Sequence, residues 1–250
     1  MRRLACLFAL LWAGPLLAAE PDARELLGHI GSRSALIVLY TGTTPDGGAR
    51  VTGEYLVLGT LQRRFLEGDR SPELGLTTLK ESTSPILFGR AATGSLQGTW
   101  KDGVFRGTRF GPGGQERERF EFSETFPAIT QQNLSVQCEA AEAGYSANLA
   151  FVLEKGRVRP GSLSWTARHG QSGHVCVLGG TRLEQRADRG ALRLRIGAET
   201  ERCAIVLRDL GDVLRVAAEG CAMHCGSQAY LEPVLVDRRG GCQLLRPVVR

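Results

Sequence analysis

Short apolar stretches separated by turn residues run along most of the chain. Ala35–Tyr40 is an uninterrupted apolar run, which is typical of a well-buried strand. Arg119–Phe122 ends in a strict alternation of phenylalanine and glutamate, which predicts a strand with one solvent-exposed face. Strands at roughly ten-residue spacing, with turn signals between them, are typical of an antiparallel barrel or sandwich. The other strands predicted in this half are Val51–Leu58, Leu74–Glu81, Leu96–Trp100 and Val104–Phe110.

The second half of the chain has the same pattern. A strand is predicted at Ser162–Ala167, and another at Ala191–Gly197, where leucine and arginine alternate. The two arginines of that strand are expected on a solvated face. Cys203–Arg208 and Val213–Ala217 flank Asp209–Asp212, which is predicted to be a hairpin turn.

One short helix is predicted near the start, over Pro21–Gly28. Proline comes first, acidic residues follow in the first turn and glycine stands at the end, which are helix start and stop signals. The fold class expected is therefore all-β, with two small antiparallel β-barrel or sandwich domains and a short N-terminal helix. The second domain is expected to be held by disulfides.

The N-terminal residues have the pattern of a secretory signal peptide. Arg2 and Arg3 give a positive start, Leu4–Leu17 carries no charge, and two alanines then offer small residues for cleavage. A membrane anchor is the alternative, but the uncharged run has 14 residues, whereas a spanning helix needs about 20. Removal of residues 1–19 is expected to leave a soluble periplasmic or secreted protein with no transmembrane segment.

Composition narrows the classes of protein further. The 250 residues are 42% apolar and 23% charged, as in an ordinary globular protein rather than a disordered or fibrous one. Only three of the 31 basic residues are lysines. A GC-rich genome produces such an excess of arginine as readily as nucleic-acid binding does. Without Arg2 and Arg3 the net charge falls from +5 to +3, which is too weak to indicate a polyanion, so no nucleic-acid partner is expected.

Cysteine content and charge both change in the middle of the chain. Residues 20–134 carry 13 basic and 14 acidic residues, whereas residues 135–250 carry 16 and 12. The polar stretch Thr130–Asn133 lies at this change, so the predicted domains are a β-meander domain at 20–129 and a disulfide-rich β domain at 134–250. An even number of cysteines in an exported protein predicts up to three disulfides. The six cysteines outside the signal peptide are Cys138, Cys176, Cys203, Cys221, Cys225 and Cys242.

The order of the predicted strands favours one pairing of these cysteines. The predicted hairpin brings Cys203 near Cys221, and a turn at Pro233 brings Cys225 back towards Cys242. The spacer between Cys221 and Cys225 is only three residues long, so these two cysteines could exchange partners. The expected disulfides are Cys203–Cys221, Cys225–Cys242 and Cys138–Cys176.

Two groups of residues have the spacing of weak metal sites. His169 and His174 bracket a glycine-rich turn, but no carboxylate is close in sequence and a site needs several ligands. Cys221, Cys225 and Cys242 could bind zinc together with His224, but thiols in an oxidising compartment are usually bridged. Exposed turn histidines and disulfides are the favoured interpretations, so no metal and no cofactor is expected. Whether His169 and His174 bind a metal stays open.

No catalytic motif is recognisable. The chain has no G-x-S-x-G, H-E-x-x-H or phosphate-loop sequence. The carboxylate pairs Glu116/Glu118 and Glu199/Glu201 lie among arginines in stretches that are expected to be wet. A carboxyl group needs burial to raise its pKa for acid catalysis, so no catalytic residue is assigned.

An ordered series of motifs in the first half resembles uncharacterised exported bacterial proteins that are built as small β-meanders. The resemblance covers about residues 35–125. In that group the glycines allow strand bends and the aromatic residues fill the barrel, so these residues imply a fold rather than a chemistry. The series consists of Gly53-Glu54-Tyr55, Phe65-Leu66-Glu67-Gly68, Leu76–Glu81 and Leu96-Gln97-Gly98-Thr99-Trp100.

The last part of the chain resembles the C-terminal cysteine module of periplasmic lysozyme-inhibitor-like proteins. Cys203–Leu207, a hairpin and then Gly220–Gly226 carry this resemblance. It implies inhibition of a lysozyme. Because lysozyme targets are cationic and this half of the chain has an excess of basic residues, like charges would oppose the encounter.

These observations predict an exported, non-enzymatic binding or interaction protein of the bacterial cell envelope. Its partner would be an unknown envelope protein or glycan. The first alternative is a periplasmic lysozyme inhibitor. The second is an envelope hydrolase with dispersed catalytic residues, which a deep pocket with Ser–His or paired-carboxylate geometry would favour.

Overall fold

The computed structural model describes residues 22–43, 48–71, 73–84, 92–129, 133–142, 144–170, 172–180, 183–188, 190–197, 203–226 and 230–245. The predicted signal peptide at 1–19 lies outside these residues, as does most of the predicted linker at Thr130–Asn133.

The first half of the chain is a closed antiparallel barrel of eight strands. Each strand pairs with its neighbour in sequence, and the first strand pairs with the eighth to close the barrel. The all-β prediction is confirmed, and of the two architectures that were expected this half is a barrel. The strands are β1 (Asp22–Ile30), β2 (Arg33–Thr43), β3 (Ala49–Val57), β4 (Gln62–Arg70), β5 (Leu76–Ser82), β6 (Gly94–Lys101), β7 (Val104–Phe110) and β8 (Arg117–Ser123).

The predicted N-terminal helix is wrong, because its residues form the strand that closes the barrel. β1 pairs with β2 over nine residue pairs and with β8 on its other side. Leu26 and Ile30 are buried in the barrel core. Gly28 lies between them, and a Cβ atom there would be 1.9 Å from the carbonyl oxygen of Glu121. The glycine that resembles a helix end therefore allows the close approach of two strands.

Apolar side chains fill the barrel. Phe105 stacks on Trp100 with 4.9 Å between the ring centroids, and it packs against Phe120 on its other side. Gly98 makes room for this cluster, since a Cβ atom there would lie 2.7 Å from Cζ of Phe120. The buried core consists of Leu26, Ile30, Ala35, Ile37, Leu39, Val51, Tyr55, Val57, Leu66, Leu79, Leu96, Phe105, Phe120 and Phe122.

The second half of the chain forms two antiparallel sheets. In the first sheet the strand order is β9-β10-β12-β13, with β11 beside the end of β10. Its strands are β9 (Leu134–Glu142), β10 (Tyr145–Glu154), β11 (Arg157–Val158), β12 (Ser164–His169) and β13 (Val175–Gly179). The second sheet follows chain order, with one helical turn, α1 (Ala222–Cys225), after its fourth strand. Its strands are β14 (Leu183–Asp188), β15 (Ala191–Ile196), β16 (Ala204–Asp209), β17 (Val213–Glu219), β18 (Val234–Asp237) and β19 (Cys242–Leu244).

The two sheets enclose one hydrophobic core, so this half is a sandwich. Trp165 and Phe151 of the first sheet share a buried cluster with Leu194 of the second. The side chain of Gln185 also joins the sheets, because its Oε1 accepts from the Val158 N–H at 2.9 Å and its Nε2 donates to the Val158 carbonyl at 2.5 Å. This amide therefore continues the strand hydrogen bonding across a sheet boundary.

The strands β16, β17 and β18 of the second sheet are buried on both faces, because the barrel wall packs against the face that turns away from the sandwich core. This contact explains the apolar run of β2, whose residues alternately face the barrel interior and the sandwich. The barrel wall, the second sheet and the first sheet are thus successive layers. The interface cluster consists of Leu36, Val38, Leu56, Leu58, Phe126, Leu210, Val213, Leu235 and Leu245.

Charged groups are also buried at this interface. Glu25 of the barrel forms ion pairs with both Arg208 and Arg215 of the second sheet. Arg63 lies with its Nε 3.2 Å from the buried carboxylate of Glu54, and its Nη2 donates to a sandwich carbonyl at 2.5 Å. Burial raises the pKa of Glu54 to about 7, although the charge of Arg63 opposes this shift. The interface therefore contains a carboxyl group that titrates near neutral pH.

Three disulfides stabilise the sandwich, and one of them matches the predicted pairing. Cys203 pairs with Cys221 across the β16–β17 hairpin, with 4.3 Å between the Cα atoms. The hairpin turn itself is formed as predicted, since the Leu210 N–H donates to the Val213 carbonyl at 3.0 Å. The prediction of a disulfide-held second domain is confirmed, and the bridges indicate an oxidising compartment.

The other two predicted pairings are wrong. Cys138 pairs with Cys242, and Cys176 pairs with Cys225, with 5.8 Å and 4.6 Å between the respective Cα atoms. Cys138 and Cys176 were expected on adjacent strands, but β10 and β12 separate β9 from β13. Three strand spacings of about 4.8 Å are too long for a disulfide. Each of these bridges instead ties one side of the first sheet to the last part of the chain.

Within the described ranges, no helix has both the length and the apolar character that a membrane-crossing helix requires.

Candidate functional site

Small polar side chains cover the face of the first sandwich sheet that turns away from the core. Residues directly opposite on neighbouring antiparallel strands have Cβ atoms about 5 Å apart, so each row across the sheet is a continuous strip of surface. One row consists of Glu139, Asn148, Thr166 and Val177, and the next consists of Gln137, Ala150, Ser164 and Gly179.

A shallow groove lies on this face. Its volume is about 400 Å³, and its lining combines a carboxylate, two amides and a hydroxyl with small side chains. The groove gives the face a slight concavity near β9 and β10, where a ligand or partner can form hydrogen bonds. Its lining residues are Gln137, Cys138, Glu139, Asn148, Leu149, Ala150 and Ser164.

The edge of this sheet at β13 presents unpaired backbone groups. The His169 N–H donates to the His174 carbonyl at 2.9 Å, which identifies the hydrogen-bonded residue pairs of the β12–β13 ladder. Such pairs alternate along an antiparallel ladder, so Cys176 bonds to β12, whereas Val175 and Val177 turn their N–H and C=O groups outwards. No described residue makes a hydrogen bond to these outward groups.

Apolar side chains stand next to these backbone groups. Val177 is 61% exposed and Val175 is 44% exposed, and they lie on the polar outer face described above. Met223 of α1 is 93% exposed, and the Cys176–Cys225 disulfide holds α1 beside β13. We call Val175–Gly179 together with Met223 the open edge.

The edge strands β9 and β14 of the described sheets differ from β13, because each is protected against pairing with another chain. β9 at the opposite side of the first sheet lies beside β18 and β19, to which the Cys138–Cys242 disulfide fixes it. β14 at the edge of the second sheet carries Glu184, Arg186 and Asp188, and charges on an edge strand discourage pairing with another chain. β13 carries no charge, since its sequence is VCVLG, and the element fixed beside it by the Cys176–Cys225 disulfide is the single helical turn α1.

His169 has a structural role in the sandwich. Its ring lies against Tyr145 and Tyr230, with 5.0 Å and 4.4 Å between the ring centroids. Its Nε2 lies 3.0 Å from the carbonyl oxygen of Tyr230 and 3.2 Å from the same residue's nitrogen. The imidazole therefore connects the end of β12 to the segment that precedes β18.

The two histidines of the glycine-rich turn do not form a joint site. His174 is exposed, and its Nδ1 lies 3.3 Å from the carbonyl oxygen of Ser172, while the His169 ring turns towards Tyr230. Among the residues that the structure describes, no group of three or more His, Cys, Asp or Glu side chains has the arrangement of a metal site. The cysteines of the zinc alternative are bridged.

A network of charged side chains fills one end of the barrel. Glu81 is fully buried, and its carboxylate accepts from Tyr55 Oη at 2.8 Å and from Arg109 Nε at 2.8 Å. Arg64 Nε lies 3.4 Å from the same carboxylate. Arg109 also donates to Glu118 at 2.9 Å. These contacts satisfy the buried carboxylate, so the network closes the barrel end rather than offering a vacant reactive group.

The protonation equilibria of this network follow from its contacts. Burial opposes ionisation of Glu81, but the hydrogen bonds from Arg109 and Tyr55 and the charge of Arg64 outweigh it and lower the pKa of Glu81. Burial raises the pKa of Tyr55, and the Glu81 carboxylate adds to that shift. The hydrogen bond to Glu81 raises the pKa of Arg109. All three groups therefore keep their ordinary charges at neutral pH.

The first carboxylate pair considered in the sequence, Glu116 and Glu118, lies around the guanidinium of Arg109. Glu118 pairs with Arg109 and Arg33, whereas Glu116 is largely exposed with 4.0 Å to Arg109. The pair at Glu199 and Glu201 lies outside the described residues.

The open edge was missed in the sequence because its location depends on tertiary structure. The only local signal is VCVLG itself, an uncharged β-branched segment that follows a turn. The same sequence pattern in the centre of a sheet would carry no functional meaning.

No family model matches the chain, and neither does any curated protein or any solved structure.

Proposed function

We propose that the protein is an exported interaction protein of the bacterial cell envelope that binds a partner through the outer face and the open edge of the first sandwich sheet. The observation that carries this proposal is β13, where Val175 and Val177 expose both apolar side chains and outward backbone groups. Exposed apolar groups beside polar ones are typical of interaction sites on protein surfaces.

The scaffold of this surface supports the same function. Disulfides hold the first sheet at both of its sides, through Cys138 and Cys176. A rigid surface loses little conformational entropy on binding, which favours affinity. The signal-peptide pattern of residues 1–19 and the three disulfides together favour the periplasm or the exterior of the cell.

Capture with crosslinking tests the proposal. Immobilised protein with its disulfides intact is exposed to an envelope extract, and bound partners are identified by mass spectrometry. The Thr166→Tyr variant places a large uncharged ring in the middle of the outer face, next to Asn148 and Val177, so it blocks contact whatever the charge of the partner. The matched control is Gln97→Tyr, which adds the same ring to an exposed position of β6 in the barrel.

We expect a partner that wild type and Gln97→Tyr capture and Thr166→Tyr loses. Equal capture by all three proteins, or no specific partner, would contradict the proposal. Purified lysozyme is one defined bait, because Gly220–Gly226 resembles the module of lysozyme-inhibitor-like proteins. Inhibition of lysozyme-driven lysis that Thr166→Tyr removes would identify this partner.

A further inference from the structure

We propose that the open edge binds an extended acidic segment of the partner, which adds to the first sheet as a further strand beside β13. This inference rests on the function proposed above and names the mode of binding and the chemistry of the partner. It concerns Val175–Gly179, an uncharged edge strand of the described sandwich whose outward backbone groups stay open although the short turn α1 lies beside it.

Hydrogen-bond geometry requires the extended form. The outward N–H and C=O groups of Val175, Val177 and Gly179 recur at every second residue, which is the repeat that a paired strand needs. Each of these groups lacks a hydrogen-bond partner among the described residues. A helix or a folded surface cannot match this repeat, whereas an extended peptide matches it with its main chain.

The side chains around the edge define what the added strand carries. Residues on one of its faces would contact Val175 and Val177, and residues on the other face would lie on the side of the sheet where the Cys176–Cys225 bridge holds α1 and the exposed Met223. Alternate positions of the added strand are therefore expected to be apolar or β-branched, because such side chains pack well against cross-strand neighbours.

Charge complementarity determines the acidic character. Arg168 lies directly opposite Val175 on β12, is exposed, and forms no ion pair with a described residue. His174 precedes β13 and is also exposed. β12, β13 and α1 contain no acidic residue. A carboxylate at the end of the added strand near Val175 thus lies close to Arg168 and His174, whereas Glu139, the carboxylate of the same outer face, lies on β9 at the far side of the sheet.

Two synthetic peptides provide the probe. The first has the sequence Glu-Val-Thr-Val-Thr-Val-Glu with blocked ends, and the second has lysine in place of both glutamates. Binding to the full mature protein is measured by fluorescence anisotropy, and amide exchange by NMR. We expect the acidic peptide to bind about tenfold tighter than the basic one at low salt and to lose this preference as salt is raised.

Proline substitution tests the backbone contact. Val177→Pro removes one outward N–H without breaking the β12–β13 ladder, because proline is tolerated on the outer side of an edge strand. We expect this substitution to lower the affinity for the acidic peptide about tenfold. Val177→Thr keeps both the branched shape and the N–H, and it is expected to bind nearly as wild type does. Ala187→Pro is the matched control, since it removes an outward N–H from the β14 edge.

Amide exchange in the wild type tests the proposal without any substitution. The amides of Val175, Val177 and Gly179 are expected to exchange fast alone and slowly with the acidic peptide. Fast exchange in the presence of bound peptide, equal binding of the two peptides, or absence of binding would overturn the inference. So would concentration-dependent dimerisation that protects the same amides, since a second copy would then occupy the edge. A captured partner that Thr166→Tyr loses and Val177→Pro keeps would leave the proposed function intact and exclude strand addition.

Discussion

The barrel and the sandwich differ in how their sheets end. In the barrel, β1 pairs with β8, so the ladder of hydrogen bonds returns to its start and leaves no edge in the described strands. The described barrel residues contain no cysteine. The sandwich has two open sheets, and three disulfides cross-link it.

This difference leaves the described barrel without an edge strand, whereas the described sandwich sheets keep edge strands such as β13. A closed barrel abolishes edges, and inside it Tyr55 and Arg109 bind the buried carboxylate of Glu81. An open sheet needs other stabilisation, because its edge strands leave backbone groups unpaired. In the sandwich, three disulfides supply covalent links that do not depend on pairing at the β13 edge.

The largest effect is expected from removal of the long-range disulfide. Replacing Cys138 and Cys242 by alanine opens a bridge between residues 104 positions apart, and loop entropy predicts a loss of about 4 to 5 kcal/mol in the free energy of unfolding. Removing Cys203–Cys221, which spans 18 positions, is expected to remove about 3 kcal/mol. Urea denaturation measures both. The reverse order would show that loop length does not govern these bridges.

The Glu81→Ala substitution is expected to lower the free energy of unfolding by about 3 to 5 kcal/mol, because Arg109 would keep a buried charge without its main partner. Amide exchange should show the loss in β5, β6 and β7 before it reaches the sandwich. The control is Glu121→Ala on the exposed face of β8, where a loose pair with Arg106 at 3.8 Å predicts a change below about 0.5 kcal/mol. Equal effects of the two variants would contradict a structural role for the network.

Much of the fold could be predicted from local sequence. The strand predicted at Val104–Phe110 begins and ends at the same residues in the structure. The alternation in Phe120–Phe122 matches two buried rings on either side of one exposed glutamate. These strands lie in regular hairpins, where neighbours in sequence are neighbours in space. β4 was missed as a strand because Gln62–Arg70 is rich in charge. Three of its charged residues pair with residues of other strands: Arg63 with Glu54, Arg64 with Glu81, and Glu67 with Arg50.

Disulfide pairing and the open edge could not be predicted for a related reason. Strand order decides both, and the first sheet places β12 between β10 and β13. Cys176 then lies beside α1, almost fifty residues further along, rather than beside Cys138. The hairpin pair Cys203–Cys221 was predictable because one local turn brings its two strands together. Local patterns therefore identify strands, but they do not identify which strand ends a sheet.

The coupling between the two halves can be tested with two leucines of the barrel. Leu56 is buried against the sandwich, whereas Leu66 is buried in the barrel interior. Each substitution by alanine is expected to lower the free energy of unfolding by about 2 to 4 kcal/mol. Leu56→Ala should also separate the unfolding of the two halves into two transitions, followed by far-UV circular dichroism and tryptophan fluorescence. Leu66→Ala should destabilise the barrel and keep the interface intact. A single transition in both variants would contradict this assignment of the interface.

The smallest expected effect concerns pH at the same interface. Burial raises the pKa of Glu54 from 4.5 to about 7, the charge of Arg63 opposes this, and Glu142 and Glu232 add to it. The folded state therefore binds more protons than the unfolded state between these two values. Its free energy of unfolding should fall as pH rises from about 4.5 to about 7, by at most about 3 kcal/mol.

Glu54→Gln removes the titrating group, so this part of the slope should disappear in urea denaturation at a series of pH values. Glu121→Gln changes an exposed carboxylate and should keep the wild-type slope. An unchanged slope in Glu54→Gln would show that water reaches this carboxylate and that the barrel and the sandwich are less closely packed at Glu54 than at Leu56.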